Sequence, residues 1–423
     1  MTEHSPNALL TDFYELAMAQ AYFESGMDDT AVFELFVRRL PPTRQFLVAA
    51  GFEQVVDYLE QLRFEDEDLA YLASLNKFSA PFLDHLGTVR FTGAVHAMPE
   101  GTPFFADEPI LRVTAPILEG QLLESRVLNI VHFQSTIASK AARCVIAARG
   151  RQLVDFGMRR AHEASAGLFS ARAAYVAGFE ATATVAAGQR FGIPLSGTMA
   201  HSFIEAHDSE LAAFRDFIRS RGEPTTLLVD TYDTGRAVQR VIGLAGELKA
   251  RAVTGVGIRA VRIDSGDLAA QARSARAALD AHGCRDIQIV LSGGLDEHQI
   301  EELLAGDVPA DAFGVGTALD VSSDAPALDM AYKLEEYAGR PRRKSSPGKA
   351  TWPGAKQVYR EKSSTGQYLS DHVVRLGEEA AGQPLLREIV RNGRRLAPLP
   401  PLGRIRQHCR AELEALPPGL REL

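Results

Sequence analysis

Ala260-Val261-Arg262-Ile263-Asp264 runs straight into Ser265-Gly266-Asp267, a short and mostly apolar run that ends in a polar, glycine-bearing turn. Runs of this kind suit strands buried on both faces, as in parallel sheets. The same grammar recurs in Gln152-Leu153-Val154-Asp155-Phe156, Thr226-Leu227-Leu228-Val229-Asp230, Ile287-Gln288-Ile289-Val290-Leu291-Ser292 and Ala312-Phe313-Gly314-Val315-Gly316. Helical segments follow most of these turns. The chain from residue 150 onward therefore reads as a βα repeat, with parallel strands joined by crossover helices. Several repeats suggest an α/β barrel and leave its closure open.

Upstream, Thr11 and Asp12 offer caps to a first helix in which Leu16, Ala19, Tyr22 and Phe23 recur at helical spacing until Gly26. Residues 31–38 alternate as a strand. Residues 51–63 and 65–75 read as helices, 88–115 as short β segments broken by prolines, and 118–149 as one amphipathic helix. Downstream, Arg340, Arg342, Arg343, Lys344, Lys349, Lys356 and Arg360 lie among Pro347, Gly348, Pro353 and Gly354. That predicts a basic loop or hairpin, solvated by default but able to close over a polyphosphate. The tail reads as helical from about Arg404.

The 423 residues exceed the ~250–300 at which single cores stop growing, so two tightly joined domains are expected. A net charge of −8 argues against a nucleic-acid surface, which needs clustered positive charge. Cys144, Cys284 and Cys409 form no CxxC or CxxH pair, so neither a disulfide framework nor a zinc site is indicated. The stretch from Met1 to Pro6 has no basic n-region or apolar h-region, and no run reaches the ~18 apolar residues of a membrane span. A cytoplasmic protein with no membrane partner is the expectation.

Chemistry-bearing residues cluster at the strand ends: Asp155-Phe156-Gly157, Asp230 through Gly235, Asp264 through Asp267, Ser292-Gly293-Gly294 and Gly314-Val315-Gly316-Thr317. In parallel α/β folds the carboxyl ends of strands form the site. Any one Asp or Ser could equally cap the next helix; five such turns favour a functional rim. Glycine at 293, 294 and 316 lets backbone N–H groups approach an anion, which makes the last two turns the phosphate candidates. His201 stands between hydroxyl residues in Gly197-Thr198-Met199-Ala200-His201-Ser202-Phe203, either as a packed histidine or as a chemical one. Arg159 and Arg160 read as a bidentate anion clamp or as a surface pair.

The chain resembles the nicotinate phosphoribosyltransferases over nearly its whole length. The resemblance is carried by Leu10-Thr11-Asp12-Phe13-Tyr14-Glu15-Leu16-Ala17-Met18, Asp155-Phe156-Gly157-Met158-Arg159-Arg160-Ala161, Gly197 through Phe203, Arg262-Ile263-Asp264-Ser265-Gly266-Asp267-Leu268 and Pro353-Gly354-Ala355-Lys356-Gln357-Val358-Tyr359-Arg360. It implies an irregular (β/α) barrel of parallel strands beside an N-terminal α/β domain formed partly by the chain termini. The expected bounds are 1–120 for the N-terminal domain, 121–345 for the barrel, and 346–423 for a basic loop and C-terminal segment packing back on the first domain. It implies nicotinate and 5-phosphoribosyl 1-diphosphate as substrates, ATP as co-substrate, Mg²⁺, and a homodimer with shared active sites. Phe156 and Tyr14, the latter from the partner chain, match the aromatics that stack the pyridine ring. Arg159 and Arg262 match arginines near the nicotinate and phosphoribosyl groups, and Thr198 matches a nicotinate contact. Asp264 matches the acid at the ribose, Ser292, Gly293, Gly294, Gly316 and Thr317 match the 5′-phosphate loops, and His201 matches the histidine that ATP phosphorylates.

The nicotinamide enzymes are similar, but their amide-reading aspartate aligns with Ala183. Without that carboxylate a site arginine favours the acid. Depriving a buried arginine of its carboxylate costs about 3–5 kcal/mol, at roughly 1.4 kcal/mol per tenfold. The family more often has serine at 183 and glycine at 163, where this chain has Ala183 and Glu163. The competing expectations are an enzyme of the same fold acting on nicotinamide or quinolinate, and a silent relative that senses phosphoribosyl ligands.

Overall fold

Six apolar runs pair as one parallel sheet in the part of the chain from Lys140 to Asp324. They are β1 (Gln152–Asp155), β2 (Ala181–Thr182), β3 (Pro224–Leu228), β4 (Gly257–Ile263), β5 (Gln288–Leu291) and β6 (Ala312–Val315). The order across the sheet is β2-β1-β6-β5-β4-β3, and every neighbouring pair is parallel. In this computed structural model, which describes residues 8–251, 255–346 and 351–423, the sheet curls into a half-barrel with β2 and β3 as its edges. The segment from Met1 to Pro6, and Pro347, Gly348 and Lys349 of the basic loop, lie outside the described residues.

The helices between the strands are α1 (Ala164–Ala177), α2 (Val185–Phe191), α3 (His201–Glu205), α4 (Glu210–Arg221), α5 (Thr234–Ala250), α6 (Leu268–Ala281), α7 (Glu297–Ala305) and α8 (Thr317–Asp320). The polar turns before three of them divide their labour. Asp233 accepts from the Arg236 amide at 2.7 Å, Asp267 from the Ala270 amide at 2.9 Å, and Asp296 forms a capping box with Gln299. These acids satisfy helix N-termini. The acid that ends each strand, Asp155, Asp230 or Asp264, points to other business. Buried charges brace α7: Glu297 is fully buried and meets Lys140 Nζ at 2.5 Å and Arg143 Nε at 2.9 Å, with Asp324 3.0 Å from the same lysine.

The other unit comprises Met1–Ser139 and Ala325–Glu422. Its antiparallel sheet runs in the order Arg340–Pro341, Met330–Tyr337, Thr30–Val37, Leu111–Pro116, Ala94–Ala97, Arg387–Arg391, Arg394–Arg395. Strand Thr30–Val37 alternates in sequence, but all its residues after Thr30 are buried, because the face bearing Glu34 is covered. Lys356 Nζ lies 2.8 Å from Glu34 and 3.3 Å from Glu335. Two of the basic residues read as a solvated loop are therefore interior: Lys356, and Arg360, which pairs with Asp371 at 2.5 Å.

Two further readings change. The segment 118–149 divides into Ile117–Leu122 and Glu124–Ala147 around Leu123. The helix Ala80–Thr88, in a stretch the sequence reading left unassigned, carries Pro81 in its first turn, where a missing N–H is tolerated. Asp12 occupies a helix N-cap position but its side chain makes no cap bond, accepting instead from Ser125 Oγ at 2.8 Å. Among the described residues no helix is long and apolar enough to cross a membrane.

Candidate active site

Arg262 and Asp264 stand two residues apart at the end of β4, so their side chains share a face of the sheet. Arg262 is held by three groups. Its Nε donates to Ser292 Oγ at 3.0 Å, its Nη1 donates to Thr198 Oγ1 at 2.7 Å, and its Nη2 lies 3.2 Å from Asp264 Oδ1. The guanidinium also sits 5.6 Å from the centre of the Phe156 ring, a cation–π distance. Three strand ends and the loop before α3 thus converge on one arginine.

Asp264 is held in turn. Ser292 Oγ donates to its Oδ1 at 2.6 Å, and its own amide donates to Asp230 Oδ2 at 2.9 Å. Asp230 Oδ2 also accepts from Ser265 Oγ at 2.7 Å. On the far side of Asp264, His201 begins α3 with its Nε2 3.9 Å from Asp264 Oδ2. The other ring nitrogen, Nδ1, is 3.1 Å from Thr231 Oγ1.

The glycine turns are shaped by steric necessity. Gly293 has φ +100°, and a Cβ there would overlap the Asp264 carbonyl oxygen. A side chain on Gly314 would overlap the edge of the Phe156 ring. Phe156 is pinned through its amide, which donates to the Val315 carbonyl at 2.8 Å. Gly316 follows β6 directly, and Thr317 opens the four-residue α8.

Beneath this turn lies a pair of buried acids. Asp155 Oδ1 accepts from the Gly157 amide at 2.8 Å and its Oδ2 accepts from Thr182 Oγ1 at 2.7 Å. Asp320, at the end of α8, lies against it. Burial first, and then the charge and hydrogen bond of Asp155, push the Asp320 carboxyl up to about 9.

The geometry brings together Phe156, Thr198, His201, Arg262, Asp264 and Ser292, while Gly293 and Gly316 abut the same turns. Two expected members are not among the residues that contact Arg262 or Asp264. Arg159 is exposed on the short 3-10 turn Met158–Arg160, with no protein hydrogen bond among the described residues. Tyr14 belongs to the other unit, 45% exposed on helix Phe13–Glu24. Thr182 and Asp320 were not singled out from the sequence, and Asp230 and Thr231 were read only as part of the strand-end turn Asp230 through Gly235, with no role of their own. For Asp230-Thr231 a signal existed, because it repeats the acid–hydroxyl pair Asp264-Ser265 at the same place on a neighbouring strand. The two departures also find their places. Ala183 donates its amide to the Asp155 carbonyl at 2.9 Å, and so flanks the Phe156 turn. Glu163 has φ +93° and ψ 164°, a backbone conformation that suits glycine.

Two family models match the chain: the nicotinate phosphoribosyltransferase N-terminal domain over residues 9–132 and the nicotinate phosphoribosyltransferase family over 151–340. The chain belongs to the nicotinate phosphoribosyltransferase family. A nicotinate phosphoribosyltransferase of Mycobacterium tuberculosis, pncB2, is 52% identical over 98% of this chain and 89% of its own length. A Bacillus subtilis family member is 40% identical over 90% of this chain and 78% of its own. The crystal structure of human nicotinic acid phosphoribosyltransferase superposes with a TM-score of 0.86 at 29% identity, covering 97% of this chain and 95% of that one. That of a Pyrococcus furiosus nicotinate-nucleotide pyrophosphorylase gives 0.78 at 26% identity, over 98% and 97%. Nicotinate phosphoribosyltransferase architecture thus extends over both units of the chain.

Proposed function

We propose that this chain joins nicotinate to 5-phosphoribosyl 1-diphosphate, giving nicotinate mononucleotide and diphosphate for NAD biosynthesis, with ATP hydrolysis coupled through His201. The observation that carries this reading is the bracing of Arg262 by Thr198, Ser292 and Asp264 over the face of Phe156. It offers a flat apolar surface beside a fixed cation, which is what an aromatic carboxylate requires.

In this reading Phe156 carries the pyridine ring and Arg262 its carboxylate. Asp264 faces the ribose, where its charge offsets the positive charge that develops on the anomeric carbon as diphosphate departs. Ser292 and the backbone of Gly293, Gly294 and Gly316 receive the 5′-phosphate. Arg159, exposed at the rim, is free to swing onto a phosphoribosyl oxygen. Tyr14 of a second copy would close the other face of the ring in a homodimer. Among the described residues no cluster of three or more His, Cys, Asp or Glu side chains is spaced to hold a metal ion. That suits Mg²⁺ carried on the diphosphate itself, where it would neutralise the leaving group.

His201 can serve as the phosphoryl acceptor. With Nδ1–H donating to Thr231, the lone pair lies on Nε2, which attacks the γ-phosphorus as ADP leaves. The dianionic phosphoryl group then stands on the side of the ring facing Asp264, and it alters the hold on diphosphate until water removes it.

The test is product formation from 5-phosphoribosyl 1-diphosphate with nicotinate, nicotinamide or quinolinate, each with and without ATP. Preferred turnover of nicotinate, accelerated by ATP, is expected. His201→Ala should abolish ATP stimulation and leave slow transfer. No turnover of nicotinate would remove the proposal, and equal loss of both activities in His201→Ala would remove the role of His201.

A further inference from the structure

Asp155 and Asp320 are 1% and 2% exposed and lie side by side. Two carboxylates so placed do not both ionise, because neither burial nor mutual repulsion allows it. The charge belongs on Asp155, whose oxygens already accept from the Gly157 amide and the Thr182 hydroxyl. Both Asp320 oxygens lack any donor. A proton on Asp320 turns an unsatisfied acceptor into a donor to Asp155 and completes the network.

The position of this proton bears on the site. A Cβ on Gly157 would run into the Asp320 carboxyl group, so the Phe156-Gly157 turn rests directly on that side chain. Phe156 itself is confined on its other side by Gly314. We propose that Asp320 is a positioning residue of the transfer site: as a neutral acid it donates a hydrogen bond to Asp155 and supports the turn that presents Phe156, and its ionisation loosens that turn. The proposal rests on the pyridine-stacking role given to Phe156 above. The titratable and charged groups on the elements around Asp320 are Asp155 on β1, Arg159 and Arg160 on the turn, the helix-capping Glu163, and Arg172 and Tyr175 on α1. Of these, Asp155 alone acts on the Asp320 proton.

The experiment compares wild type, Asp320→Asn and Asp320→Ala in two measurements. In kinetics, the wild type should lose kcat/KM for nicotinate above about pH 9, mainly through KM. Asn, a permanent donor of the same shape, should stay within about threefold of wild type at neutral pH and carry its activity further into alkali. Ala should lose about tenfold or more, as expected when a buried charge is left without its donor. In hydrogen exchange corrected for intrinsic rates, the amides of 155–161 should lose protection between pH 8 and 10 in wild type but not in Asn. Asn behaving like Ala while folded, or an Asn variant whose alkaline limb and exchange profile both match those of wild type, would overturn the proposal. The exchange arm needs no substrate. Failure to use nicotinate would therefore sink the proposed function without touching Asp320, and a flat exchange profile would do the reverse.

Discussion

The guanidinium of Arg262 lies 3.2 Å from the carboxylate of Asp264, and Ser292 Oγ touches both residues. One hydroxyl thus ties together the cation that would read the ring carboxylate and the anion that would face the sugar. A change at either end disturbs the other.

Arg262→Ala should raise the KM for nicotinate roughly thirtyfold or more while leaving the KM for ATP nearly unchanged. Removing one member of a hydrogen-bonded charge pair costs about 2–5 kcal/mol. Initial-rate kinetics with each substrate varied in turn checks this. Equal increases in both constants would show that Arg262 does not read the pyridine.

Ala183 is exposed and flanks the Phe156 turn, so Asp at this position adds a carboxylate beside the ring site. Ala183→Asp should raise the ratio of kcat/KM for nicotinamide over nicotinate by about tenfold or more, through repulsion of the acid and a new acceptor for the amide. Competition between the two bases in one reaction mixture gives that ratio directly.

Glu163 occupies a glycine-like backbone conformation, yet its carboxylate accepts from the Ser165 amide at 2.8 Å and caps α1. Glycine relieves the strain and loses the cap; alanine keeps the strain and loses the cap. Glu163→Gly should therefore raise Tm, and Glu163→Ala should lower it. A thermal scan in which both variants lower Tm would show that the cap outweighs the backbone.

Burial pushes the Glu335 carboxyl up to about 8, with nearby Glu34 adding to the shift and Lys356 opposing it. The folded chain therefore keeps a proton that the unfolded chain releases in the ordinary carboxylate range. Between those two values the folded state binds more protons, so this group lowers stability as pH rises, by at most ~1.4 kcal/mol per pH unit. Glu335→Gln removes the titration. Urea midpoints should fall from pH 5 to pH 8 more steeply in wild type than in the variant.

The sheet of the βα repeat was legible because strands buried on both faces cannot hide their apolar runs, and the turn after each run is set by the same strand end. β2 escaped notice: two residues, Ala181 and Thr182, offer no periodicity to read. The basic stretch misled for another reason. Lys356 and Arg360 look solvated in sequence, but their partners Glu34, Glu335 and Asp371 arrive from other strands. The residues gathered around Arg262 were legible as strand-end chemistry. Asp320 was not, since a carboxyl at the close of a short helix acquires meaning only when another is folded against it.

Gly293 and Gly314 have a consequence for anyone who would redesign this protein. Each is walled in by its own site, one by the Asp264 carbonyl and the other by the Phe156 ring, so even a methyl group there displaces the residues a redesign would need to keep. Gly294 and Gly197 meet nothing within 4 Å of a built Cβ. Of these two, only Gly197 is also free of a positive φ, which makes it the opening through which a library can remodel the rim for other bases or sugars.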